Sequence, residues 1–311
     1  MTEPTLKSIS VAMTTYNGGE FLKKQLDSIL NQTLKVDEII VCDDGSTDST
    51  IQYLEDYAKK VNLKYFLNES NLGFVYNFEK AISLCIGEYI ILADQDDIWY
   101  PEKVEALVNA IGDNYLIHSD CDLIDEADTV FIKNFKGEIK THREAEDFLF
   151  NNVVTGCTAM IHRELVAKVT PFPAGLSYHD WYLAIHAAYL GKITYLAKSL
   201  TGYRQHTLQD TGSGVNERGS IFKNCMNRLR GKEFGSIKSS KRQMQNLKAS
   251  INDFSTDSVF HQKQMRMIQL LQDYIENFFH LDYGAFYSKN IVASNKPKFV
   301  RYLYQLKFSI G

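Results

Sequence analysis

The chain has 311 residues, of which 44% are hydrophobic and 23% charged, with a formal net charge of −4; this composition suits one large α/β domain with an appendage. No stretch approaches the ~20 apolar residues that span a bilayer, so no membrane-spanning helix is expected within the chain. The five cysteines are odd in number, lack CxxC spacing and lie mostly in or beside apolar segments, so they read as reduced thiols and not as disulfides or zinc ligands.

Charge is unevenly distributed. Residues 215–311 hold 16 Lys and Arg against 7 Asp and Glu, a net of +9, while residues 1–214 hold 18 against 31, a net of −13. The expected organisation is an acidic catalytic domain over 1–214 and a basic, mainly helical extension over 215–311. No basic n-region or apolar h-region precedes the first strand-like segment, so no secretory leader is expected and the location is read as cytoplasmic.

Ser8 to Thr14 reads as a buried strand, and Gly18-Gly19 breaks it before a helix with Leu22, Leu26, Ile29 and Leu30 on one face. Asp37 to Cys42 is a second buried strand running into Asp43-Asp44-Gly45-Ser46-Thr47, where Ser46 or Thr47 would cap the next helix. Leu63 to Leu67 gives a third strand, Asn71-Leu72-Gly73 a turn, and Phe74 to Cys85 a helix. Ile90 to Ala93 is a fourth buried strand. It ends abruptly in Asp94, Asp96 and Asp97, with Pro101 suited to open the following helix.

Strands alternating with helices imply a mainly parallel sheet. Its polar strand ends, Thr14 to Asn17, Asp43-Asp44 and Asp94 to Asp97, should then converge on the edge where such sheets bind ligands. Three carboxylates within four residues repel one another, and Mg²⁺ or Mn²⁺ is their natural partner. An isolated acidic triplet would otherwise be a turn whose Asp caps a helix. No GxGxxG or GxxxxGK[ST] is present, which argues against a dinucleotide oxidoreductase and a P-loop NTPase. A nucleoside could instead be held by a carboxylate on the base, stacking on Tyr16 and a metal on the diphosphate.

Farther on, Glu102 to Ile111 reads as a helix and Tyr115 to Ser119 as a strand; Thr155 to Ile161 is strand-like, with Gly156 allowing close backbone approach. Asp180 opens an apolar helix, where the helix dipole favours an anion and lowers its pKa. His179 and Trp181 beside it suit a sugar pocket. Ile193 to Ala197 and Leu200 to His206 look like a closing hairpin, placing Arg204 and His206 on one face, where they could meet diphosphate or metal.

Together Ser10 to Asn17, Asp43-Asp44-Gly45-Ser46, Asn71-Leu72-Gly73, Asp94-Gln95-Asp96-Asp97 and His179-Asp180-Trp181 resemble the family 2 glycosyltransferases of the GT-A fold, over roughly residues 8–210. Within that family, His179-Asp180-Trp181 with Tyr203-Arg204-Gln205-His206 looks most like the bacterial rhamnosyltransferases of cell-surface polysaccharide synthesis. The resemblance implies a Rossmann-like sheet flanked by helices. It places the nucleoside on Thr14, Tyr16 and Asp44 with Asp43 beside them, and makes Asp94 and Asp96 the DXD pair, with Asp96 on the metal and Asp94 near the ribose or metal; to these, Asn71 and Arg204 are added on the donor side and His206 on the metal. It makes Asp180 the general base of an inverting transfer and puts His179 and Trp181 on the acceptor side. Relatives commonly have Glu-Asp where this chain has His179-Asp180.

The implied donor is dTDP-L-rhamnose, with glucosyl, galactosyl or N-acetylhexosaminyl transfer from a UDP-sugar as the alternative; a non-catalytic nucleotide- or sugar-binding module and a nucleotidyltransferase are the readings from other classes. The implied acceptor is a glycan or a lipid-linked sugar. In the extension, nine Lys and Arg stand against Glu233 alone between Arg218 and Lys248. Such a stretch suits docking on the anionic inner face of the cell membrane, or packing on the catalytic body or on a second copy in a homodimer. No nucleic-acid partner is expected.

Overall fold

The computed structural model describes residues 7–137, 148, 152–176 and 178–206. The 215–311 extension, with its expected helices and membrane or dimer contacts, lies outside the described residues.

Strands β1 (Ile9–Thr15), β2 (Glu38–Asp43), β3 (Leu63–Leu67) and β4 (Tyr89–Ala93) alternate with helices α1 (Gly19–Leu30), α2 (Thr50–Ala58) and α3 (Gly73–Leu84). A short β5 (Ile98–Trp99) leads into α4 (Lys103–Ala110), followed by β6 (Leu116–Ile124) and β7 (Val130–Ile132). After a 3-10 turn at Gly156–Thr158 come β8 (Ala159–His162), α5 (Arg163–Val169), α6 (His179–Tyr189) and β9 (Ile193–Arg204). They form one nine-stranded sheet in the order β3-β2-β1-β4-β8-β6-β9-β5, with β7 on β6. The β3-β2-β1-β4 half is parallel, and β8 joins it antiparallel to β4.

Alternation along β1 explains why its segment is apolar throughout. Ile9, Val11 and Met13 face a core completed by Leu22, Leu26 and Ile29 of α1 and Val104 and Leu107 of α4. Ala12 faces the opposite core, with Phe78 and Ile82 of α3 and Leu183 and Ile185 of α6. A strand covered on both faces needs apolar residues at both parities. Because β1, β2 and β4 are parallel, their carboxyl ends open on one edge, as the sequence implies.

Two local expectations are corrected. The segment read as a hairpin is one twelve-residue strand, β9, because β6 runs beside it in parallel and register shifts around Asp120 absorb its polar middle without a turn. Ser46 and Thr47 do not cap α2, which begins at Thr50 behind Ser49; the Ser46 hydroxyl donates to Asp43.

Candidate active site

A cleft of about 430 Å³ opens at the carboxyl edge of the parallel strands. Its walls include Thr14, Tyr16, Asp44, Asn71, Asp94 and Asp96 from that edge, and Gly156, His179 and Asp180 from across it. Four of its lining residues are carboxylates and none is Lys or Arg among the described residues. An anion as charged as a diphosphate would be repelled there without a cation.

At one end, Asp44 gathers the turn after β3. Its carboxylate accepts the backbone N–H groups of Leu72 (2.9 Å) and Gly73 (2.9 Å) and the amide of Asn68 (2.7 Å). The Leu72 and Gly73 N–H groups stand at the start of α3, where a negative charge is favoured. A carboxylate offers about four lone-pair sites, so three donors leave capacity for one more. Asn71 closes the turn by donating to the Asp44 carbonyl at 3.2 Å. The Tyr16 ring is 51% exposed beside this end, a free face for stacking. Gln95, which the sequence reading passed over, pins that loop: its side chain accepts from Tyr16 N–H at 2.8 Å and donates to Tyr16 C=O at 3.0 Å. Gly18 is the signal for it, since a Cβ there would stand 2.7 Å from Gln95 Oε1.

In the middle lie Asp94 and Asp96. Burial, then the neighbouring Asp97, Asp96 and Asp180 charges, push the Asp94 carboxyl well above the usual carboxylate range. Asp96 Oδ2 meets His206 Nε2 at 2.8 Å, so two of the three expected metal ligands touch directly. Asp94, Asp97 and Cys157 also bring potential ligand atoms within 4.8 Å of one another. Asp97 is nevertheless fully buried and accepts the Arg204 backbone N–H at 2.9 Å, and a thiol suits neither Mg²⁺ nor Mn²⁺. Behind them sits the buried Lys103 ammonium, another residue the sequence reading missed, donating to Cys157 C=O and to Thr201 Oγ1 (2.9 Å). Burial lowers its pKa to about 8.

At the far end, Asp180 at the start of α6 accepts from Trp181 N–H (2.6 Å), Asn152 Nδ2 (3.1 Å) and Gly156 N–H (3.1 Å). The expected lowering of its pKa is overturned. Burial outweighs those donors and pushes the carboxyl up to about 6. Gly156, read from the sequence as a point of close approach to a ligand, lines the cleft and gives its N–H to this carboxylate. His179 stacks on Phe78 with ring centroids 4.0 Å apart, and burial drops its pKa to about 3, so the ring is neutral.

Three expected site residues turn elsewhere. Asp43 does not reach the cleft: its oxygens accept from Thr15 Oγ1 (2.7 Å) and from the Gly45 (3.0 Å) and Ser46 (2.8 Å) N–H groups, folding its own turn. Arg204 is fully buried behind the acidic turn, donating to the carbonyls of Asp96 (2.6 Å) and Asp125 (2.5 Å) and pairing with Asp128 at 2.6 Å. It braces Asp96 and does not line the cleft. Arg204 and His206 do share a face, both stacking on Phe21. Trp181 packs against the core, donates to Phe148 C=O and is not among the residues lining the cleft.

The sheet and its one-edged acidic cleft define an α/β enzyme with the GT-A fold. The sequence profile of glycosyl transferase family 2 matches residues 10–170. The chain therefore belongs to glycosyl transferase family 2, and it is a glycosyltransferase. An uncharacterized glycosyltransferase of Rickettsia typhi is 29% identical over 247 residues, 76% of each chain. The dTDP-rhamnosyl transferase RfbG of Shigella flexneri is 27% identical over 221 residues, covering 65% of this chain and 74% of its own. Among solved structures, S. aureus TarS in complex with UDP-GlcNAc matches with a TM-score of 0.61 at 17% identity, over 92% of this chain and 78% of that one. The mannosyltransferase PcManGT from Pyrobaculum calidifontis, in complex with GDP-Man and Mn2+, matches with a TM-score of 0.54 at 17% identity, over 98% and 86%.

Proposed function

We propose that residues 1–214 transfer a sugar, with inversion, from a nucleoside diphosphate donor to a hydroxyl of a glycan or lipid-linked acceptor. The observation that carries this is the cleft itself, with Asp44 at one end, Asp180 at the other and the acidic turn between them. Asp44, Asn71, Thr14 and Tyr16 hold the nucleoside. Asp180 takes the proton from the acceptor hydroxyl as its oxygen attacks the anomeric carbon, and a carboxylate raised to about 6 is a stronger base than an ordinary one while still ionised at neutral pH.

Asp96, with Asp94 and His206, would hold a divalent cation. The donor set fits: hard carboxylate oxygens with one imidazole suit Mn²⁺ or Mg²⁺, and a cleft without lysine or arginine among the described residues leaves a diphosphate needing that charge. When bound, such a cation offsets the charge of the departing nucleoside diphosphate. Arg204 keeps the Asp96 backbone in place for it.

The donor is dTDP-L-rhamnose, supported by the similarity to RfbG of Shigella flexneri and by the His179-Asp180-Trp181 and Tyr203-Arg204-Gln205-His206 sequences. Cell-surface polysaccharide synthesis at the cytoplasmic membrane face follows from that donor. The basic 215–311 extension serves as the membrane contact; deleting it should abolish co-sedimentation with anionic vesicles, and an unchanged pellet would remove that part of the reading. No helix among the described residues is long and apolar enough to cross a membrane.

Thermal stability against dTDP-, UDP- and GDP-sugars, each with and without Mn²⁺, tests the whole reading, because a ligand that binds only the folded state raises the midpoint. A metal-dependent rise with dTDP-L-rhamnose is expected. A rise with a UDP-sugar instead would replace the donor, and none with any donor would remove the enzyme assignment of this cleft.

A further inference from the structure

His179 carries a feature that the transfer chemistry does not use. Both ring nitrogens are buried and lack a hydrogen-bond partner among the described residues, and the ring lines the cleft. Leaving such a polar atom unsatisfied is costly, and native structures rarely hold one without a reason. The ring is held in place by stacking on Phe78 and by the edge of Phe74, centroids 6.1 Å apart. Gly156 keeps the space beside it open, since a Cβ there would stand 3.1 Å from His179 Nε2.

Position decides which ligand meets it. Phe74 and Phe78 belong to α3, the helix whose first turn binds Asp44, so that His179, at the Asp180 end, leans on the same helix that forms the nucleotide end. Asp180 is its immediate neighbour in sequence. With the nucleoside at Asp44 and the diphosphate at Asp94–Asp96, the space between Phe74 and Asp180 is left for the sugar being transferred.

We infer that His179 hydrogen-bonds a hydroxyl of the transferred sugar, and that this sugar is uncharged. The inference rests on the glycosyltransferase reading of the cleft and moves His179 from the acceptor to the donor. A neutral imidazole offers one N–H and one lone pair, which match a hydroxyl's acceptor and donor, and it brings no positive charge to offset a carboxylate. Its desolvation keeps it in that form. The same cleft presents four carboxylates and no basic side chain among its described lining residues, so with the cation engaged by the diphosphate no described lining side chain offsets a sugar carboxylate. Uronic acid donors are thereby disfavoured against hexoses, deoxyhexoses and N-acetylhexosamines.

The test uses the full chain with Mn²⁺ and compares dissociation constants of a nucleotide with and without its sugar: dTDP against dTDP-L-rhamnose, and UDP against UDP-glucose and UDP-glucuronate. In the pair that wild type binds best, His179→Phe should lose ~10-fold of the affinity added by the sugar, with nucleotide affinity unchanged. His179→Gln, which keeps a polar atom near Nε2, should recover most of it. If His179→Phe does not fold, His179→Gln against His179→Leu reads the same difference. A sugar contribution unchanged in the apolar variant, or a change confined to the acceptor KM, overturns the inference while leaving the enzyme reading intact. UDP-glucuronate binding more tightly than the uncharged donors overturns the charge selection. Failure of wild type to bind either nucleotide removes the cleft assignment, and this inference with it.

Discussion

The two ends of the cleft are built on opposite terms. At the nucleoside end, polar groups are already satisfied within the chain: Asp44 accepts three donors and organises the Asn71 turn, and Gln95 pairs with both backbone groups of Tyr16. At the reaction end they are left in tension. The His179 ring nitrogens have no hydrogen-bond partner among the described residues, Asp180 is raised to about 6, and Asp94 is desolvated by burial and crowded by its acidic neighbours. Preorganised hydrogen bonds keep a binding surface in shape before the ligand arrives. Desolvated, perturbed groups are what proton transfer requires, and their cost is borne by the rigid sheet around them.

Substitutions should divide along the same line. The largest effect is expected from Asp180→Asn, which removes the base and should lower kcat by ~10²–10⁴, read from nucleotide release. Asp96→Asn should come next, abolishing the metal-dependent part of donor binding, measured as the difference between titrations with Mn²⁺ and with EDTA. Asp44→Asn belongs to the other end. It should weaken both the nucleotide and the fold, the latter by ~1–3 kcal/mol in denaturant unfolding, because Leu72 and Gly73 N–H would lose a charged acceptor. A purely catalytic defect in Asp44→Asn, or a large stability loss in Asp96→Asn, would break the division.

The smallest effect concerns pH. A base must be ionised to accept a proton, so kcat/KM should fall as pH drops through about 6, where Asp180 titrates. Asn152→Ala removes one of the three donors to that carboxylate and should move the acid limb to higher pH, since hydrogen bonds to the charged form lower a pKa. An acid limb that stays in place in Asn152→Ala would remove Asn152 from the orientation of the base.

Much of this arrangement is written in the chain. Continuous apolar runs mark β1, β2 and β4 because both their faces are covered, and parallel pairing then forces their acidic ends to one edge. Asp43 and Asp44 show where such reading stops. They are adjacent and chemically identical, yet one folds back on Ser46 and the other reaches across to Gly73, a choice made by turn geometry that no periodicity records. The shared face of Arg204 and His206 is legible from alternation, but not that Arg204 lies beneath the acidic turn. For Asp180 the sequence displays the helix start and its dipole. It hides the burial, contributed by distant segments, that reverses the sign of the pKa shift.

The most direct test of the central claim, that binding and chemistry reside at opposite ends of one cleft, is titration of the donor into Asp180→Asn in the presence of Mn²⁺. Donor affinity within about twofold of wild type in a protein that no longer turns over is the predicted result. Affinity lost together with turnover, or turnover retained, would contradict it.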